Sequence, residues 1–334
     1  MIFIVNLFSC KTFSIHANTF FLERSQTKIQ VPINWTPENP LQQVIEFQNW
    51  KLIFYSSSFS RGEAFYFEIL PIDSLEHSHQ ANHQLFYKTI QRVIPINKKP
   101  FGFNGLYVFP PNLKEENNEF QWKIQQNNEE FTKDFTLKIH LRKYPVADKK
   151  LVFEKKRLSK EEEIELNERI QKERFVKKNA FDEVLPNLLT NHLSHPRDYH
   201  YVTSEWHKIR TYQYYEIIDG KKVFYSPYQG IHKGVDLRGN EGDLVFSIAN
   251  GKVVIADDFY FEGRFVLINH GNKVFSGYMH LKDLFVSKDQ FIQAGTPIGT
   301  VGATGRALGA HLHYSLWIDG FNTDPLSIFS LPIR

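Results

Sequence analysis

Residues 230–239 read GIHKGVDLRG, with His232 and Asp236 four apart and Gly234 between them. Four residues make about one helical turn, so a helix would put the imidazole and the carboxylate on one face. Three glycines within ten residues argue against a helix. A straight strand would also put both on one face, but about 13 Å apart. The segment is therefore glycine-punctuated extended chain, and its spacing asks what brings the two side chains together.

The surrounding text is of the same kind. From about residue 200 onward, glycines interrupt short β-like runs such as DLVFSIANGKVVIADD, GRFVLINHGNKVFSGYMHL and AHLHYSLWIDG. Asn250-Gly251 and Asp319-Gly320 are tight-turn pairs. GTVGATG is no phosphate loop, because a strand-type run follows it where that motif needs a helix. In HLHYSLW, His311 and His313 are two apart and so point to one face of a strand, about 6.7 Å apart. His280 stands in YMHL. Histidine and carboxylate are good zinc ligands, and catalytic zinc takes three protein ligands and a water. His232, Asp236 and one histidine of the HLH pair make such a set, which leaves two histidines for acid–base and oxyanion work.

HKGVD, YMH and HLH, in that order, resemble the HxxxD…H…HxH signature of the lysostaphin/LytM-type zinc endopeptidases. The resemblance runs over about residues 228–328 and takes in FVLINHG, IQAGTPIGTVGATGRALGAHLHYSLW and NTDPLSIF. It implies zinc held by His232, Asp236 and His313, with His280 and His311 as the catalytic histidines. It also implies an antiparallel β-sheet with a groove, and a peptide bond of bacterial cell-wall crosslinks as substrate. Gly234 is then expected to bend the strand so that His232 and Asp236 converge on one ion. His311 is expected to act as general base on a zinc-activated water, and His280 to donate to the oxyanion. Tyr278 and Asn269 are either support for the site or merely structural, and His270 is read as a turn residue outside it. One stretch departs from the pattern. The family shows S-x-F-G-x-R upstream, whereas SEWHKIR, ending at Arg210, has Trp206 for the phenylalanine and no glycine.

The rest of the 334-residue chain is legible in outline. It is 42% hydrophobic and 23% charged, an ordinary globular balance. Its net charge of +3 is too mild to indicate nucleic acid. Residues 25–147 read as short strands, among them WKLIFY, EAFYFEIL, GLYVF, EFQWKIQQ and DFTLKIHLRKY. In the last, Phe135, Leu137, Ile139 and Leu141 alternate with polar residues, the mark of a half-buried strand. A β-sandwich of immunoglobulin-like architecture is the expectation. His77, His79 and His83 have loose metal-like spacing but read as a solvated loop. Residues 148–190 form a helical linker, in which Ser159 and Glu162 signal a capping box before a mostly solvated helix. Residues 191–334 are the peptidase region, with its core at 228–328. The predicted fold class is thus mainly β: sandwich, linking helix, antiparallel peptidase sheet.

Residues 1–24 hold the apolar MIFIVNLFSC, too short to span a bilayer. They read either as the tail of an export signal or as a plain terminus. LFSC resembles a lipoprotein cleavage box, with Cys10 as the lipidated residue. A wall peptidase must meet its substrate outside the cytoplasmic membrane, so export to the periplasm or envelope is expected. A lipid anchor at Cys10 is one form of it. No obligate protein partner is indicated. The competing reading is a non-catalytic module on the same fold that binds peptidoglycan or activates a hydrolase.

Overall fold

The computed structural model describes residues 21–24, 27–30, 39–72, 81–155, 157–189, 193–197 and 201–333. Cys10, His77 and His79 fall outside them. The architecture is mainly β, with one α-helix among the described residues.

After a two-stranded hairpin, Phe21–Arg24 with Thr27–Gln30, come two larger antiparallel sheets. One runs in the order Leu41–Phe47, Trp50–Ser56, Ala64–Pro71, Gly102–Val108, Asn97–Lys99. The other runs Glu129–Lys138, Asn117–Gln126, Asn82–Tyr87, Arg92–Ile94. Their aromatic faces meet. Phe54 lies 5.7 Å from Phe120 and 5.9 Å from Phe135, ring centroid to centroid. Period-two burial drives this packing, since Asn118, Phe120, Trp122 and Ile124 are buried while Asn117 and Glu119 are exposed. Leu137 and Ile139 are buried as their alternation predicts. The strand that carries Leu137 begins earlier, at Glu129, after a two-residue hairpin turn at Asn127 and Asn128 with φ of 52° and 62°, and it ends at Lys138, just before Ile139 and Leu141. Both values are left-handed, and asparagine tolerates that region best after glycine.

His83 corrects the loop expectation. It lies in the Asn82–Tyr87 strand, wedged between Trp50 (4.4 Å) and Phe103 (4.6 Å), and Trp122 Nε1 donates to its Nδ1. Burial lowers its pKa to about 4, so it is a neutral, half-buried ring packed among aromatics.

The helix Lys160–Asp182 carries the expected capping box, with Ser159 and Glu162 each bonding the other's backbone N–H. It ends on Asp182, and no basic side chain occupies its last turn. Most of it faces water. Its C-terminal half docks on the large sheet described next, where Phe181 lies 5.0 Å from Phe275 and 5.2 Å from Trp317. Glu173 is buried there and accepts from Tyr260 N.

The large sheet has ten strands. Its main path is Val202–Ser204, Val235–Arg238, His311–Ile318, Val274–Leu284, Gly263–Asn269, Gly251–Phe259, Phe291–Ile292, all antiparallel. A smaller sheet lies beside it. There Ile209–Ile218 pairs with Leu151–Glu154, Lys221–Phe224 and Tyr228–Ile231. The chain leaves the small sheet at Ile231 and enters the large one at Val235. His232, Lys233 and Gly234 are this crossing, and the candidate site sits on it. No helix among the described residues is long and apolar enough to cross a membrane.

Candidate metal centre

Asp236 and His313 are directly paired across two neighbouring strands of the large sheet. His232 reaches them from the crossing. His232 Nε2 lies 2.9 Å from Asp236 Oδ1 and 3.0 Å from His313 Nδ1, and His313 Nδ1 lies 3.0 Å from Asp236 Oδ1. The three atoms form a nearly equilateral triangle, and they are a candidate metal-holding group.

The donor chemistry fits a cation. His232 Nδ1 is 2.8 Å from the carbonyl oxygen of Glu205, which can only accept. The proton is therefore on Nδ1, and Nε2 presents a lone pair. On His313, Nε2 is 3.0 Å from Ser315 Oγ, whose own hydroxyl donates to Lys233 O. His313 Nε2 must donate there, and its Nδ1 presents a lone pair. Two imidazole lone pairs and a carboxylate oxygen thus converge with no proton between them. The tautomers are fixed by partners on the far side of each ring, as is usual for metal-ligating histidines. A tetrahedral ion with bonds of about 2.0–2.1 Å needs ligand atoms roughly 3.3 Å apart, close to the spacing found.

His311 and His280 flank this triangle. His311 Nε2 is 3.6 Å from Asp236 Oδ1, and its Nδ1 is 2.8 Å from Gly309 O. The His280 ring centroid lies 5.0 Å from that of His311 and 5.9 Å from that of His313. His280 Nδ1 donates to Thr304 O at 2.9 Å. Burial first, then the neighbouring His313 and His311, lower the His280 pKa to about 3. Its backbone is left-handed, φ 64°, an uncommon state for a non-glycine residue and one that clusters at functional sites. Neutral rings that donate through Nδ1 present a bare Nε2. All five residues singled out from the sequence are therefore brought together.

Gly234 is explained differently from the expectation. Its φ is not left-handed, and the turn comes from the change of sheet. The constraint is space: a Cβ there would lie 2.5 Å from His313 Nε2 and 2.5 Å from the carbonyl oxygen of Tyr314. Glycine lets the crossing pass under the His313 ring.

Tyr278, Asn269 and His270 belong to the core. The Tyr278 hydroxyl accepts from Ile248 N, Asn269 Nδ2 donates to Glu183 O, and His270 is tied to Asn250 O and Ser276 Oγ. In the divergent upstream stretch, Trp206 is buried and donates to Asn322. His207 adopts φ 59°, the conformation a glycine takes at least cost.

Arg210, at the end of that stretch, went unassigned in the sequence. Its Nη2 lies 2.6 Å from Asp236 Oδ2, the oxygen that the triangle does not use. The arginine pins one carboxylate oxygen and so aims the other. Arg210→Met should keep the fold and weaken metal affinity by about 10–100-fold, the usual cost of losing such a supporting group. Competition against a chelator would measure it, and an unchanged affinity would remove Arg210 from this role.

The stretch that carries these residues is similar to known proteins. Residues 230–325 match the family model Peptidase family M23, and this stretch is a peptidase family M23 domain. Peptidoglycan DD-endopeptidase ShyA of Vibrio cholerae is 38% identical over 89 residues, covering 27% of this chain and 21% of ShyA. Murein hydrolase activator NlpD of Escherichia coli is 31% identical over 99 residues, covering 29% of this chain and 26% of NlpD. The matched stretch thus spans about a fifth to a quarter of these relatives. A candidate peptidase M23 structure from Pseudomonas aeruginosa aligns over 80% of this chain and 93% of its own, with TM-score 0.50 and 20% identity. That likeness is one of fold, and it reaches well beyond residues 230–325.

Proposed function

We propose that the chain is a zinc-dependent endopeptidase that hydrolyses peptide crosslinks of bacterial peptidoglycan. One observation carries the reading: three lone-pair donors converge beside two imidazoles whose Nε2 atoms are bare. Held by His232, Asp236 and His313, zinc would supply Lewis-acid polarisation of the carbonyl and a water acidified toward pKa 7.

His311 is the more accessible of the two flanking rings, and its Nε2 stands 3.6 Å from Asp236 Oδ1, at the edge of the ligand triangle. It serves as general base and returns the proton to the leaving amine. His280 has its Nδ1 proton committed to Thr304 O and resists a second proton. It therefore accepts a hydrogen bond and orients the attacking water, instead of donating to an oxyanion as the sequence alone suggested.

The ShyA match supports a peptidoglycan peptide as substrate. The NlpD match keeps open a non-catalytic activator on the same fold. Incubating the purified chain with sacculi and identifying released peptides by mass spectrometry decides between them. Peptidase action gives cleaved crosslinks that vanish with chelator. Bound zinc with no cleavage would favour the activator.

The division into a β-sandwich at 25–147, a helical linker at 148–190 and a peptidase region at 191–334 belongs to the same proposal. So does export to the periplasm or envelope, with a lipid anchor at Cys10 as one form. Fractionation tests it: protein found only in the cytosol would leave the enzyme without access to its substrate.

A further inference from the structure

The strand Ile209–Ile218 and its partner Tyr228–Ile231 form a ribbon that starts at the candidate metal centre. Arg210, Tyr212 and Tyr214 alternate onto one face of it, and Arg210 is the residue on Asp236. Tyr228 is paired with Tyr212, and their rings stack at 5.3 Å. This aromatic wall extends about 13 Å along the strand from Arg210 to Tyr214.

Arg306 lies against the wall. Its guanidinium carbon sits 5.2 Å from the centre of the Tyr212 ring, 5.4 Å from Phe261 and 5.8 Å from Phe153, and its Nη1 donates to Tyr214 OH at 3.0 Å. The charge is thus caged by aromatic rings and phenols, and no carboxylate among the described residues pairs with it. A guanidinium has five N–H donors in a fork suited to a carboxylate. The residue is exposed, so part of that fork is open to a ligand. Arg306 also lies on the short segment between Thr304, which His280 contacts, and His311. Thr304 O accepts from His280, and His311, bridged to Gly302, follows five residues after Arg306.

We infer that Arg306, framed by Tyr212, Tyr214 and Tyr228, is a specificity residue that binds a carboxylate of the peptide substrate beside the scissile bond. The inference rests on the peptidase reading for its substrate class. Rings hold the guanidinium in place and limit its hydration without neutralising it. A substrate carboxylate arriving there gains two charge-assisted hydrogen bonds. An amidated substrate gains neither.

The test uses the full chain and soluble crosslinked muropeptides released from sacculi. Half of the sample is left as free acids and half is converted to carboxamides. Binding is read by calorimetry, and turnover separately. The free acids should bind about tenfold or more tighter than the amides. Arg306→Gln should erase that preference, and Arg306→Lys should keep part of it. Equal binding of acid and amide by the unaltered chain overturns the inference, as does a preference that survives Arg306→Gln. Cleavage without discrimination would sink the inference alone. Discrimination without cleavage would sink the peptidase reading and leave the carboxylate site standing.

Discussion

His313→Ala will yield a folded chain that has lost its metal and nearly all hydrolysis. His313 supplies one of three inward lone pairs, and its Nδ1 is within 3.0 Å of both other donor atoms. Two remaining ligands are too few for a catalytic zinc site, which takes three from the protein. The site's chemistry then disappears with the ion. The lost stabilisation of several kcal/mol corresponds to about 10³-fold or more in rate. The fold should survive, because the side chain sits on an internal strand whose ladder bonds come from the backbone. Alanine leaves Ser315 Oγ without a donor, a cost of about 1–3 kcal/mol at most. Metal analysis of the wild-type chain should show about one zinc per chain, and the variant should show little. A variant that holds its full equivalent of zinc would refute the assignment of His313.

The candidate ligand triangle was legible because its members lie in strongly patterned text. HKGVD and HLHYSLW are glycine-marked or alternating runs, and two adjacent strands carry them into register, Asp236 opposite His313. The sandwich was legible for a similar reason, since the alternation in Asn117–Gln126 and Glu129–Lys138 writes the buried face directly. Other features depend on contacts that no local pattern encodes. The strand Leu41–Phe47 is a sheet edge, exposed or half-exposed throughout, so burial leaves little mark on its sequence. His83 looks polar in its own neighbourhood and is half-buried against Trp50, Phe103 and Trp122, which come from three other strands. Arg210 finds Asp236 across a boundary between two sheets. Gly234 is required by a ring contributed by a residue 79 positions later, so its local φ says nothing of its purpose.

His311→Ala and His280→Ala should both retain zinc, and they should differ in what they lose. Neither ring belongs to the ligand triangle, and each is tied by Nδ1 to a backbone carbonyl, Gly309 O or Thr304 O. Removing either therefore leaves the three ligand atoms and their supporting bonds in place. His311 accepts the proton of the attacking water in the proposed mechanism, and general-base groups contribute roughly 10²–10⁴-fold. Its alanine variant should lose that much in kcat. His280 has its Nδ1 proton committed to Thr304 O, and burial beside two other imidazoles lowers its pKa to about 3, so the proposed mechanism uses it as an acceptor. What remains is the bare Nε2 as an acceptor that orients the water, and misplacing a reactant by about 1 Å can cost about 10²-fold. His280→Ala should fall by about that factor, less than His311→Ala at the upper end of its range. Zinc content and kcat measured on the same preparations separate the cases. Loss of zinc from either variant would show that the ring supports the metal. If His311→Ala kept more than about a tenth of wild-type turnover, the proton would have to leave by another route, and His280, at 5.0 Å between ring centroids, would be the next group to examine.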